Sequence, residues 1–412
     1  MLIVSHVPPF PGLTGQQQRV FHMLRGMRER FHVSFVTTTN PLFPDLPERL
    51  PTICDEVHLL PSLYHRSLAH RVWYQTAGRV YGWSTGLKKS HYLVGKLELA
   101  PERLAQFADP QRFDLVMLEY WMATPSLSAF KARGIPCVLD MHDVLWQTYK
   151  RDLDRSSRLP AIVKSWVLNR YRRQEETAWR QFDGLIAINR AELSHVAEQV
   201  SPTTAIFHAA MGVDLSRWSR SWQPAQHQGQ PVRLAYYGGF GNPANRTDAM
   251  ICYEQLMPAI WQRFPDAELW LVGSNPPAAW QSLTEDNRVK VTGFVKDPQP
   301  ILSTMTAVLC PFNGTFGFRS RLIEVMALGV PVVASPDAVY GMELEEGRGL
   351  LLGRTNEELI EATFRLLENP AFAAEQSLAA SQQVEQRFSV QATYHRLADD
   401  LSNWLQQRRR QS

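Results

Sequence analysis

Residues 307–334 set an apolar run, a glycine-bearing loop, an amphipathic helical pattern and a second apolar run in that order. Strand, glycine loop, helix, strand is a βαβ unit, and few folds accommodate it. Residues 307–312 have strand length. Gly314 and Gly317 follow, then Arg319 and Arg321, then a helix carrying Glu324, and residues 330–334 close the unit. The loop falls where open α/β sheets bind ligands. Glycine lets backbone approach a ligand, and free N–H groups at a helix start favour an anion. Guanidinium keeps its charge and donates in a fork, so Arg319 and Arg321 suit a diphosphate. Glu324, three residues beyond Arg321, is placed either to pair with that arginine or to accept from sugar hydroxyls.

The same order opens both halves of the chain. Residues 2–7 form an apolar run, residues 8–15 a loop, and residues 16–30 a helical pattern with Val20, Leu24 and Met27 on one face; residues 32–38 alternate as a strand. Residues 232–237, the loop GGFGNPANR, a helix to Phe264 and the run 267–273 repeat that logic. The expected fold is therefore α/β with two Rossmann-like domains, which suits 412 residues. The first loop, PPFPGLTGQQQR, lacks G-x-G-x-x-G, which argues against a dinucleotide oxidoreductase. The polar stretch 216–231 carries Pro and Gly and reads as a linker. The expected division is 1–215, linker 216–231, 232–388, and a final helix with a basic tail at 389–412. In that helix Tyr394, Leu397, Leu401, Trp404 and Leu405 recur at helical spacing, and three terminal arginines complement the helix dipole.

No apolar run is long enough to span a bilayer, and the start lacks the basic segment of a secretory signal. Four scattered cysteines without C-x-x-C point to buried thiols in a reducing cytosol, with no metal site. Residues 1–220 hold 27 Lys+Arg against 20 Asp+Glu, net +7; the remainder holds 16 against 20, net −4. Residues 64–96 mix Arg, Lys and His with four tyrosines and two tryptophans and contain no acid. That mixture suits either a packed helical insertion or contact with an anionic acceptor or membrane surface. No nucleic-acid recognition motif accompanies it.

Two further strands end on titratable groups. Residues 114–119 end at Glu119, and residues 136–140 lead into MHDV, which brings His142 and Asp143 to the carboxyl end. Strand carboxyl ends face the ligand crevice, so these residues are site candidates, with a purely structural histidine as the alternative.

The stretch 313–339 resembles the nucleotide-sugar site of GT-B glycosyltransferases, specifically the retaining family-4 group. One branch has a pattern close to G-x-R-x-K-x-x-E-x-x-A-x-G-x-P-V-V. Gly317, Arg319, Glu324, Ala327, Gly329, Pro331, Val332 and Val333 match it, and Arg321 replaces the lysine. The commoner pattern has a second Glu eight residues before the helix Glu, where Phe316 stands here. The sequence HAAMGVD resembles the family's N-G-V-D turn, with Met211 for Asn. The second loop lacks the Arg and Lys that many members carry; Asn245 resembles the asparagine of a branch without that pair, and Arg246 is the loop's cation.

The resemblance implies two domains facing across a cleft, with the final helix crossing back to the first. It implies a glycosyltransferase moving a hexosyl group from a nucleotide-diphosphate sugar to a glycan, lipid-linked or small-molecule acceptor, with retention. It implies polysaccharide biosynthesis in the cytoplasm, with peripheral contact to anionic membrane and no nucleic-acid partner. The catalytic set would be His142, Arg319, Arg321 and Glu324. Gly273, Phe294, Val295, Gly317, Phe318, Ser320 and Asn245 would bind the donor. Gly15, Arg19, Glu119 and Asp143 would lie on the acceptor side, Arg19 otherwise being a first-turn surface arginine. No cofactor or metal is expected, since arginine supplies the leaving-group stabilisation that a metal otherwise would. A non-catalytic partner subunit and a sugar-nucleotide epimerase are the competing readings.

Overall fold

The computed structural model describes residues 1–12, 14–85, 97–156, 159–223, 231–314 and 318–411. The chain divides into two compact units, Met1–Met211 with Thr393–Ser412, and Gly212–Ala392.

The first unit is built on strands β1 (Leu2–Val4), β2 (Ser34–Thr38), β3 (Glu56–Leu60), β4 (Val116–Glu119), β5 (Cys137–Asp140), β6 (Gly184–Ala187) and β7 (Ala205–His208). They lie parallel in the order β3-β2-β1-β4-β5-β6-β7, with Val4 opposite both Val36 and Leu118. Strands β1, β4, β5 and β6 are buried throughout, whereas the edge strands β3 and β7 are mostly half-buried. A parallel sheet covered on both faces demands uninterrupted apolar runs at its centre, and VMLE, CVLD and GLIA supply them. The helix Gly15–Met27 follows β1, and Thr14 Oγ1 caps it by accepting from the Gln17 N–H at 3.3 Å. Strand order reverses between β1 and β4, so their carboxyl ends flank a switch point.

The last residues complete this unit. A widened turn, Gln391–His395, leads into the helix Arg396–Gln411, whose Leu397, Leu401 and Leu405 are buried. Trp404 meets Phe207 of β7 edge-on at 5.8 Å. A Cβ on Gly26 would sit 2.4 Å from the Tyr394 Cβ, so only glycine lets the two segments approach this closely. The terminal arginines do more than face a helix dipole: Arg408 pairs with Asp183 and Arg409 with Asp114.

The second unit carries β8 (Arg233–Tyr237), β9 (Glu268–Val272), β10 (Val289–Gly293), β11 (Ala307–Cys310), β12 (Val332–Ala334) and β13 (Leu350–Leu352). The order β10-β9-β8-β11-β12-β13 is again wholly parallel, with its reversal between β8 and β11. The division at residue 211 falls before the stretch 216–231 read as a linker. Residues up to Trp222 pack on the second unit: the Ser221 and Trp222 N–H groups both donate to the Leu328 carbonyl, and the buried Trp222 indole donates to the Met305 carbonyl at 3.0 Å. Polar composition concealed an anchoring tryptophan there. Residues 224–230 lie outside the described residues.

All four cysteines are free and buried. Among the described residues, no helix is long and apolar enough to cross a membrane.

Candidate functional site

In the second unit, the switch point gathers the loop after β8 and the start of the helix Ser320–Ala327. Gly238 and Gly239 follow β8 directly. A Cβ on Gly273, at the end of β9, would fall 1.7 Å from the Gly238 carbonyl oxygen, so that position must be glycine. The loop is tied by Phe240 N–H to the Ser274 carbonyl at 2.8 Å and by Asn245 Nδ2 to the Gly239 carbonyl at 2.8 Å. Asn245 thus braces the glycine loop from the helix Pro243–Ile251. Arg246 also turns back on the loop, donating to the Phe240 carbonyl at 3.4 Å.

Arg321 reaches this loop. A Cβ on Gly239 would stand 3.8 Å from its Nη2, and its guanidinium lies 4.6 Å from the centroid of the Tyr237 ring. Among the described residues it forms no ion pair. Arg319, the residue before the helix, lies over the Phe312 ring at 3.1 Å and hydrogen-bonds the Cys310 thiol. Burial lowers its pKa from the ordinary arginine value. Glu324 is buried in the helix and accepts from the Tyr237 hydroxyl at 3.2 Å. Burial, then the Glu324 carboxylate, push the Tyr237 phenol up, which keeps it a donor. Ser320 is the first helical residue, and Phe318 lies 6.0 Å from Phe388. Phe294, just past β10, leaves 63% of its surface exposed beside half-buried Val295. Gly317 lies outside the described residues, as does Phe316.

Tyr237 escaped sequence reasoning. It ends β8 immediately before two glycines, and that position was the available signal, but its contacts to Arg321 and Glu324 span more than eighty residues.

In the first unit, the ends of β4 and β5 hold a buried charged cluster. Arg19, on the helix Gly15–Met27, donates to both oxygens of Asp140 at 2.6 and 2.7 Å and to the Ala209 carbonyl at 2.9 Å. At 1% exposure it is no first-turn surface arginine: the β5 carboxylate needs a buried counter-charge, and Arg19 provides it. His142 Nε2 meets Glu119 Oε2 and lies 3.4 Å from Asp140 Oδ2. The backbone turns sharply to place this ring, with φ of +59° at His142 and +67° at Tyr120, and the two rings stack at 4.0 Å. Burial raises the Glu119 pKa, with His142 only partly opposing it. Burial acts on Asp140 in the same sense, yet Arg19 and His142 outweigh it and hold that carboxyl below its ordinary value.

Asp143 faces elsewhere. It accepts from Thr148 Oγ1 at 3.0 Å and Val144 N–H at 3.1 Å and hydrogen-bonds Glu192. Its contacts brace the turn into the helix Leu145–Ser156, whose first N–H groups bond Glu175. Gly15 is the exposed first residue of its helix, with the Met211 methyl 3.6 Å from where a Cβ would lie.

Ligand atoms of Glu119, Asp140 and His142 lie within 4.8 Å of one another, a spacing a cation could bridge. Arg19 already sets a positive fork across both Asp140 oxygens, so the cluster carries its own cation.

Residues 14–207 match the family model described as Glycosyl transferase 4-like domain, and residues 231–369 that described as Glycosyl transferases group 1. The curated proteins give no match. Among solved structures, sucrose-phosphate synthase from Thermosynechococcus elongatus is 18% identical with a TM-score of 0.68, covering 100% of this chain and 99% of that one. Anabaena HepE in complex with UDP is 17% identical with a TM-score of 0.64, covering 98% and 99%. A variant of S. aureus TarM in complex with Fondaparinux, alpha-GlcNAc-glycerol and UDP is 11% identical with a TM-score of 0.64, covering 98% and 99%. Two parallel sheets, each with the same strand-order reversal, and two family models, one over each half, agree: the chain belongs to the GT-B-fold, family-4-like glycosyltransferases.

Proposed function

We propose that the protein transfers a hexosyl group, with retention, from a nucleotide-diphosphate sugar to a glycan, lipid-linked or small-molecule acceptor in cytoplasmic polysaccharide synthesis. The observation that carries this reading is Arg321 beside the glycine loop, a cation without a carboxylate partner among the described residues, at the start of a helix. A diphosphate supplies the missing anion and accepts from the same helix N–H groups. In this reading Arg319 and Arg321 stabilise the departing diphosphate. Glu324, steadied by Tyr237, takes sugar or ribose hydroxyls, and Phe294 offers an exposed ring to the base. Gly273, Val295, Phe318 and Ser320 shape the donor pocket.

His142 holds charge near the transferred sugar, with Glu119 and Asp140 as its counter-charges and Arg19 as the group that keeps Asp140 ionised. Gly15 borders the acceptor. The division of labour needs no metal, since arginine supplies positive charge to the leaving group and Arg19 to the buried cluster. Support for a nucleotide donor also comes from the neighbours, whose structures hold UDP. Contact with an anionic membrane is proposed for the basic first half.

The test is a panel of UDP, GDP and ADP sugars offered to purified protein, reading nucleotide release and thermal stabilisation. One sugar nucleotide should both raise the melting temperature and be turned over. Stabilisation without turnover under any acceptor condition would favour a non-catalytic subunit. Release of an isomerised sugar nucleotide would favour epimerase chemistry.

A further inference from the structure

The first unit carries a concavity whose lining includes none of the residues assigned a role above. A cavity of about 760 Å³ lies against the helix Leu68–Thr85, the turns Trp121–Ser126 and the helix Ala161–Trp179. That volume falls within the range of small-ligand sites, roughly 300–1,000 Å³. No residue of the Arg19, Asp140, His142 and Glu119 cluster lines it.

Its lining has three kinds of group. Tyr81, Trp121 and Trp166 present aromatic rings. Asn169, Gln174 and Gln181 present amides, each with a donor and an acceptor end. Arg170 and Arg173 bring two guanidinium groups, and neither forms an ion pair among the described residues. No acidic residue appears among the described residues of the lining. Trp121 is nearly buried and meets buried Tyr171 edge-on at 5.8 Å, so it is held in place. Trp166 is 53% exposed, with the Arg170 guanidinium 5.5 Å from its ring centroid.

Each kind selects the same chemistry. An indole face matches the C–H face of a pyranose ring, apolar on one side and polar at its rim. An amide matches neighbouring hydroxyls by donating to one and accepting from another. Guanidinium groups without an ion pair among the described residues match carboxylate, sulfate or phosphate substituents through forked bonds. Exposed Ile162 and Val163 lie on the same helix and would suit a lipid surface. A flat bilayer, however, does not present groups into a concavity lined by a nearly buried Trp121. We propose that this cavity binds oligosaccharides bearing acidic groups, independently of the donor reaction.

The probe is a hyaluronan hexasaccharide, compared with neutral N-acetylchitohexaose and with phosphatidylglycerol-containing vesicles, each titrated calorimetrically into the full chain. Hyaluronan should bind saturably and the neutral sugar at least ten-fold more weakly. Arg170→Ala with Arg173→Ala should weaken hyaluronan at least ten-fold, and Trp166→Ala comparably, while UDP binding and melting temperature stay unchanged. A chondroitin sulfate hexasaccharide run in parallel, which carries sulfates in addition to the same carboxylates, should bind at least as tightly and lose affinity with the same substitutions. No saturable binding by either acidic oligosaccharide, binding untouched by these substitutions, or binding to vesicles alone would overturn the proposal.

Discussion

The two switch points share a backbone plan and differ in how they balance charge. In the first unit, Arg19 spans both oxygens of buried Asp140 and His142 meets one oxygen of Glu119, whose other oxygen is buried without a hydrogen-bond partner among the described residues. In the second, Arg321 lies on a tyrosine ring and Arg319 on a phenylalanine ring and a thiol, with the carboxylate of Glu324 turned to Tyr237. A buried ion pair such as Arg19 with Asp140 fixes geometry and makes the fold depend on it. Arg321, which forms no ion pair among the described residues, is the cation we propose an anionic ligand completes. The same residue type therefore predicts stability in one unit and function in the other.

Substitutions can break this contrast or sharpen it. Arg19→Met should be the most severe, because it strands Asp140 as an uncompensated buried charge at a cost of about 3–5 kcal/mol. The unfolding transition reports it, and a loss under ~1 kcal/mol would show that the cluster is not an interdependent unit. Arg319→Ala with Arg321→Ala should do the opposite: near-normal melting, but transfer reduced by about 2–4 kcal/mol at the transition state, roughly 30- to 1000-fold. Arg321→Lys should be milder than Arg321→Ala. Near-normal transfer by the folded double variant would remove the donor site from this helix.

Tyr237→Phe keeps the ring beneath Arg321 and deletes only the hydroxyl on Glu324. Transfer should fall roughly 10- to 150-fold, since a hydrogen bond to a charged group is worth about 1.5–3 kcal/mol. Binding of free UDP should change less, as the ring and arginines remain. An equal loss in both would place Glu324 on the nucleotide rather than the sugar.

The last prediction concerns pH. Burial, then the Asp143 carboxylate, push Glu192 up to about 10. An unfolded glutamate titrates near ~4.3, so the folded state binds the extra proton, and its contribution to stability declines as pH rises from about 4 towards 10. Glu192→Gln keeps a hydrogen-bond donor that has no proton to lose. Its melting temperature should gain on the wild type between pH 5 and pH 9. A gap constant across that range would mean that the pair shares no proton.

Much of this architecture is legible in the sequence because parallel central strands announce themselves as short apolar runs, as at residues 116–119, 137–140 and 307–310. The helix bearing Arg321 and Glu324, with Arg319 just before it, was legible for the same local reason: loop, cations and amphipathic period lie within a dozen residues. What was not legible depends on distance along the chain. Arg19 read either as an acceptor-side cation or as a surface arginine, and only the fold shows Asp140, 121 residues on, taking two of its donors. Tyr237 looks like strand filler until Glu324 comes back to it. Asp143 adjoins His142 in sequence, yet its contacts run to Thr148 and Val144 while His142 meets Glu119, and neither set of partners is legible from adjacency. Trp222 lay in a stretch whose composition resembled a tether, and one indole overrode the polar residues around it.

The close passage of Tyr394 over Gly26 bears on synthesis as well as on packing. The first unit draws its closing pieces from residues 393–411, after the whole of the second unit has been made. A ribosome therefore releases the first sheet with its seat for Tyr394 and Leu397 unfilled, and Asp114 and Asp183 without their arginines. Vectorial folding, in which an early domain settles before the next emerges, can bring this unit only part of the way. Its final cooperativity waits for residues 393–411, which makes that segment a checkpoint on the first two hundred residues.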